Sequence, residues 1–195
     1  MILLQCKYCQ CDFKVHPYRV KSHVIDYCGT ACKMAAKLAG RQPVDVGEFW
    51  RVPLTKGRFA KVCKCHFDLI KNNVWSVTGT GYAATRIDNK LLRMHNVIAG
   101  KRVDHTNEDK LDNRCANLRE STHQQNCWNQ SKSRGKTGVR GVYFERGKFS
   151  AHLFKDGEYK LAKTFDAIED AIIARRAAEK MYFGEYAPQE SGVLI

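Results

Sequence analysis

Apolar positions in this chain come in short runs, and their period changes along its length. Gly29 to Leu38 (GTACKMAAKL) reads as a helix, and Ala39 to Gly47 (AGRQPVDVG) as a linker, by its Gly, Pro and Asp content. Between Phe49 and Gly81 the runs WRVPL, RFAKVC, NNVWSVT and GYAATR predict a small β-rich stretch. Leu91 to Ala99 (LLRMHNVIA) predicts a helix with Leu92 and Val97 or Ile98 turned inward. Val103 to His105 reads as the end of a strand. The polar run Thr106 to Asn113 reads as a loop, because Asn, Asp and Thr compete with backbone hydrogen bonding. Leu118 and Arg119 return as a second strand, and Ser121 and Thr122 cap a helix starting near His123.

After a Gly-, Lys- and Arg-rich tether, Gln130 to Gly141, three strands are expected at Val139–Glu145, Lys148–Phe154 and Tyr159–Thr164. Arg146-Gly147 and Lys155-Asp156-Gly157 supply the turns, Asp-Gly being a strong hairpin signal. The period then becomes helical. Ile168, Ala171, Ile172, Ala178 and Tyr182 form one stripe on a helix from about Ala167 to Tyr182. Asp166 and Glu169 read as its capping box and Gly184 as its stop, before a loose tail from Gln189 to Ile195. The fold class is α+β, built from several small modules.

Charge adds the partner. Thirty-three Lys and Arg against twenty Asp and Glu leave +13, which favours a polyanion because neutralised phosphates release counterions. No apolar run approaches the ~20 residues of a spanning helix, so no membrane role is expected. The start, MILLQCKYC, is too short for a signal peptide, which implies a soluble, cytoplasmic chain with reduced cysteines. Nine cysteines in such a chain point to metal. Cys6-x2-Cys9 and Cys28-x3-Cys32, eighteen residues apart, suit a tetrahedral structural Zn²⁺ site. Cys11 could replace Cys9, and His16 or His23 could replace a cysteine. The segment is poor in apolar residues, so the metal would supply its folding energy. CKYCQCDF…YCGTACK resembles small treble-clef or zinc-ribbon modules. Cys63, Cys65 and His66 form only a C-x-C-H group, better read as core or surface thiols.

The chemistry concentrates in Val103 to Asn126, VDHTNEDKLDNRCANLRESTHQQN. A strand, a loop, a strand and a helix would gather Asp104, His105, Asn117 and Asn126. The carboxylate of Asp104 and the amide oxygen of Asn126 are hard ligands for Mg²⁺, or Mn²⁺. An imidazole, which can change charge near neutral pH, lets His105 deprotonate a water, and Asn117 can fix its tautomer. Together these groups suit phosphodiester hydrolysis.

That stretch resembles the HNH nucleases of ββα-metal fold, in particular the phage-type homing endonucleases. The resemblance implies that His105 is the general base, Asn117 orients it, and Asp104 and Asn126 hold the metal, with His123 the second choice as ligand. RGVYFERGKFSAHLFKDG…KTFDAIEDAIIARRAAEKMYFGEYA resembles the Apetala/ethylene-response-factor DNA-binding domain, whose three-stranded sheet enters the major groove. Tyr143 and Phe144 stand where plant relatives carry polar, arginine-rich residues. Candidate DNA contacts are Lys132, Arg134, Lys136, Arg140, Arg146 and Lys148. The expectation is three modules: a zinc module (1–40), an HNH core (41–130) and a sheet-plus-helix DNA-binding domain (136–187). They would form a metal-dependent DNA endonuclease, phage-encoded and acting as a monomer on double-stranded DNA in the cytoplasm of a bacterial host. A non-cleaving DNA-binding regulator is the alternative.

Overall fold

The computed structural model describes residues 1–131, 133 and 135–189. Two of the expected DNA contacts, Lys132 and Arg134, and the tail beyond Gln189 lie outside the described residues. The architecture is mixed α and β, with five small sheets among the described residues. It divides into two compact units: Met1–Ile98 with Lys110–Arg114, and Ala99–Asp109 with the chain from Cys115 onward. This division cuts the sequence differently from the three expected modules. The stretch 41–130 contributes to both units.

The first unit opens with the hairpin β1 (Ile2–Gln5) and β2 (Asp12–Val15), followed by α1 (Pro17–Ser22) and α2 (Thr30–Ala39). Neither helix buries a residue, so apolar packing contributes little here. The rest of the unit has a proper core. β3 (Val44–Asp45), β4 (Trp50–Pro53) and β5 (Phe59–Val62) form an antiparallel sheet. β6 (Ser76–Val77), β7 (Ala83–Ile87) and β8 (Lys90–Arg93) form another, with α3 (Phe67–Ile70) and α4 (Met94–Ala99) beside them in the chain. Val52, Leu54, Ala60, Val62, Ile70, Trp75, Ala83, Met94 and Leu111 fill the interior, with Val97 and Ile98 packed against it.

The helix expected over Leu91–Ala99 begins only at Met94, and Leu91 and Leu92 lie on β8. Asp88 and Asn89 both take positive φ, and Ile87 pairs with Lys90 across them. That two-residue hairpin turn sends the chain back as a strand. The expected loop Thr106–Asn113 also contains structure: β10 (Asp112–Asn113) pairs in parallel with β5.

In the second unit, β9 (Val103–His105) pairs antiparallel with β11 (Leu118–Glu120), ahead of α5 (His123–Trp128). Thr122 caps α5, exchanging hydrogen bonds with Gln125 in a full capping box. β12 (Val142–Glu145), β13 (Lys148–Lys155) and β14 (Glu158–Phe165) form an antiparallel sheet covered by α6 (Ile168–Phe183). The expected stripe holds: Ala171 and Ala178 are buried, and Ile168, Ile172 and Tyr182 pack against the core. Arg175 and Glu179 are buried on the same helix as an ion pair at 2.8 Å. Burial pushes the Glu179 carboxyl up, against the pull of Arg175. The N-cap of α6 is Ala167, without a side-chain cap bond; Asp166 instead pairs with Lys148 at 3.0 Å. β12 starts at Val142 rather than Val139. Gly141 takes φ +77° against the sheet, where a Cβ would meet the His152 carbonyl at 2.6 Å and Arg175 at 2.7 Å.

Candidate active site

The β9–β11 ladder sets His105 opposite Leu118 and Asp104 opposite Arg119. Asp104, His105 and Asn117 are all buried. Three contacts lock the strand end. Asn117 Oδ1 accepts from the Asn107 N–H (2.9 Å), and its backbone carbonyl accepts from the Thr106 N–H (2.9 Å). Asn129, at the C-cap of α5, donates its Nδ2 to the His105 carbonyl at 2.8 Å. Its Oδ1 is buried and without a partner among the described residues. Asn126 lies half-buried on α5. His123, on the first turn, is exposed, with Nε2 3.8 Å from Cys127 Sγ.

Arg119 donates through Nε (3.2 Å) and Nη2 (2.9 Å) to a single oxygen of Asp104, Oδ2. The other oxygen, Oδ1, makes no hydrogen bond among the described residues. Arg119 is itself braced: Nη1 donates to the Glu185 carbonyl, and its guanidinium lies 4.6 Å from the Tyr186 ring centroid. Tyr186 in turn donates its hydroxyl to the Glu120 carbonyl at 3.1 Å. The 3₁₀ turn after α6 therefore holds the arginine that holds Asp104. Trp128 of α5 stacks on Phe183 at 4.8 Å. A fixed carboxylate with one oxygen open is a hard oxygen donor of the kind that divalent cations take.

Sequence reasoning missed Arg119, Asn129 and Tyr186. The first was legible: antiparallel pairing of two Val103–His105 and Leu118–Glu120 strands places opposite charges across the ladder. Asn129 follows Asn126 by one helical turn, a spacing that shares a face. Nothing local flags Tyr186, 67 residues after Arg119 in the sequence.

Among the charged residues expected to meet DNA, Arg140 donates to the carbonyls of Cys127 and Gln130 (the latter at 3.3 Å), bracing the C-terminal end of α5. Lys148 pairs with Asp166, while Lys136 and Arg146 are exposed.

In the first unit, Cys6, Cys9, Cys28 and Cys32 converge, their sulfurs all within 4.8 Å of one another. Cys9–Cys28 and Cys28–Cys32 sulfurs are 3.7 and 3.5 Å apart. Four sulfurs about 2.3 Å from one tetrahedral zinc would be separated by a similar distance, about 3.8 Å. Burial would raise the Cys6 thiol, but backbone N–H groups of Cys9, Cys28 and Tyr8 hold it down to about 6. Hydrogen bonding to Cys28, then Cys9, pushes Cys32 up to about 12. The four thiols could hold a metal ion. Cys11 is exposed and stands outside that group.

Comparison with known proteins decides the family. Residues 96–127 match the HNH endonuclease family. An uncharacterised HNH endonuclease of Acanthamoeba polyphaga mimivirus is 30% identical over 142 residues, 68% of this chain and 74% of that protein. This chain belongs to the HNH endonuclease family. The matched segment of this HNH protein runs from α4 through Cys127 and takes in Asp104, His105, Asn117 and Asn126. No solved structure matches the chain. No helix among the described residues is long and apolar enough to cross a membrane.

Proposed function

We propose that the chain is a metal-dependent DNA endonuclease of the homing type, with His105 as general base and Asp104 and Asn126 holding one Mg²⁺ or Mn²⁺. The observation that carries this reading is the open Oδ1 of Asp104, on a buried strand beside His105, with its partner oxygen fixed by Arg119. The metal supplies charge stabilisation for the reacting phosphate and the leaving oxygen. His105 takes the proton of the attacking water, a task for which an imidazole near neutral pH is suited. Asn117 Oδ1, already fixed by the Asn107 N–H, has a second lone pair to accept the far ring N–H. That bond would leave the other ring nitrogen free to act as base. Arg119 balances the charge of Asp104 and sets its direction, and Asn129 holds the backbone of His105 in place. The exposure of His123 favours Asn126 as the helix ligand.

The flanking parts supply affinity. Cys6, Cys9, Cys28 and Cys32 hold a structural Zn²⁺ that supplements the thin apolar core of residues 1–40. The sheet-plus-helix part, 136–187, engages double-stranded DNA, with Lys136, Arg146 and Lys148 as phosphate contacts and Arg140 engaged as a brace. One chain acts on one site.

Incubating the protein with supercoiled plasmid, with and without Mg²⁺ or Mn²⁺, tests the main reading. Metal-dependent nicked or linear product is expected. A folded, DNA-binding protein that yields no product under any of these conditions would be a regulator instead. Elemental analysis tests the zinc reading: about one equivalent is expected, lost in Cys28→Ser. Less than half an equivalent, unchanged by that substitution, contradicts it.

A further inference from the structure

Outside the nuclease site, one group of cations in the first unit is organised in a way no role above uses. Tyr82 lies just past the β6–β7 turn, where the backbone is tightly tied. Thr78 and Tyr82 exchange hydrogen bonds through Thr78 N–H to the Tyr82 carbonyl (2.9 Å) and Tyr82 N–H to Thr78 Oγ1 (3.0 Å), and the Gly81 N–H donates to the Thr78 carbonyl at 3.0 Å. Gly81 takes φ +88°, which suits glycine in such a turn. The Tyr82 ring meets the buried His95 of α4 edge-on at 5.1 Å, so it is a fixed platform.

Two cations sit against that ring. The Arg93 guanidinium, at the end of β8, is 4.5 Å from its centroid, and Lys110 Nζ is 4.7 Å from it. Lys110 Nζ also donates to the Thr80 carbonyl at 3.0 Å. Both side chains are exposed, and among the described residues neither forms an ion pair with a carboxylate. Long cationic side chains ordinarily lose much rotamer freedom when they bind. Here the ring and the turn have already removed part of it. Lys110 also lies five positions after His105 in the sequence, within the same motif segment.

We propose that Arg93 and Lys110, held on Tyr82, form a preorganised clamp for two backbone phosphates of the duplex being cut. This rests on the DNA endonuclease reading above. The clamp is sequence-independent: it fixes where the backbone lies and leaves base readout to other parts of the chain.

The test is equilibrium binding of the full chain to a 30-base-pair duplex, without added Mg²⁺ so that the duplex stays intact, across a range of KCl concentrations. Each phosphate contact contributes about 0.9 to the slope of log K against log salt. Arg93→Ala with Lys110→Ala is therefore expected to lower that slope by about 1.8 and weaken binding alike on unrelated sequences. Tyr82→Leu keeps both charges and loses the platform. It is expected to weaken binding a few-fold with an unchanged slope. A double variant that melts like the parent and keeps the parent slope overturns the clamp but leaves the nuclease reading standing. A parent protein that binds no duplex at all overturns that reading, and the clamp with it. If the slope changes on double-stranded RNA of the same length but not on DNA, the assignment to DNA fails.

Discussion

Two aspartates in one short segment, Asp104 and Asp112, make an instructive pair. Both are buried, and both face an arginine: Arg119 at 2.9 Å for the first and Arg114 at 2.6 Å for the second. Arg114 binds both oxygens of Asp112, through Nε to Oδ1 (2.8 Å) and Nη2 to Oδ2 (2.6 Å), so that carboxylate is fully engaged. Arg119 takes only Oδ2 of Asp104. Their settings differ too. Asp112 lies on β10, paired with β5 beside the core residue Leu111. Asp104 lies next to His105, opposite the arginine held by the C-terminal turn. A charged pair whose lone pairs are satisfied by its partner is structural, whereas one with an oxygen left open can bind something else.

Substitutions can sharpen or break that contrast. Asp104→Asn keeps the shape and one acceptor but removes the anionic ligand. Cleavage per folded molecule is expected to fall by about a thousandfold or more, alongside a loss of stability because Arg119 loses its buried partner. A single-turnover assay beside a melting curve separates the two losses, and cleavage per folded molecule at the parent rate would remove Asp104 from the reacting site.

Asp112→Asn is expected to do the reverse. Breaking one side of a buried pair costs on the order of 3 kcal/mol, with cleavage per folded molecule retained. Its pH dependence has a definite sign. Burial alone would raise the Asp112 carboxyl, but the hydrogen bonds from Arg114 hold it below its ordinary value. The pair's stabilisation is therefore present above the unfolded carboxyl range, about 3.9, and is lost as pH falls through the lower folded value. Denaturant titrations of parent and Asp112→Asn should differ at neutral pH and converge in acid. A constant difference at all pH values would remove the ion pair as the cause.

Asn117→Ala is the smallest of these effects. About tenfold slower cleavage is expected, because an unsteered imidazole still reaches the reactive tautomer part of the time. A loss as large as that of Asp104→Asn would give Asn117 a direct role at the reacting atoms.

Much of this was legible in the sequence, for identifiable reasons. The Thr122 cap, the β13 and β14 strands and the buried stripe of α6 follow from local chemistry: a capping box, an Asp-Gly turn and a period of 3.6. The cysteine quartet was legible from spacing alone, because metal ligation needs only two close pairs. Other features depended on partners far along the chain. Nothing near Asp112 says that residues 112–113 pair with β5, whose partner residues lie 51 positions earlier. The brace on Arg119 comes from Glu185 and Tyr186. Arg140 read as a DNA contact because its neighbours are basic, and its actual acceptors, the carbonyls of Cys127 and Gln130, are set by where α5 ends. The Asp88-Asn89 turn is a local signal, and it ends at a strand, β8, that the helical spacing of Leu91 to Ala99 conceals.

The most direct test of the account is single-turnover cleavage by His105→Ala, at saturating Mg²⁺ and protein, alongside its DNA affinity. Loss of the general base is expected to slow cleavage by about 10²–10⁴, with affinity and melting close to the parent. If His105→Ala cleaves at the parent rate, His105 is not the base and the nuclease assignment of this site fails.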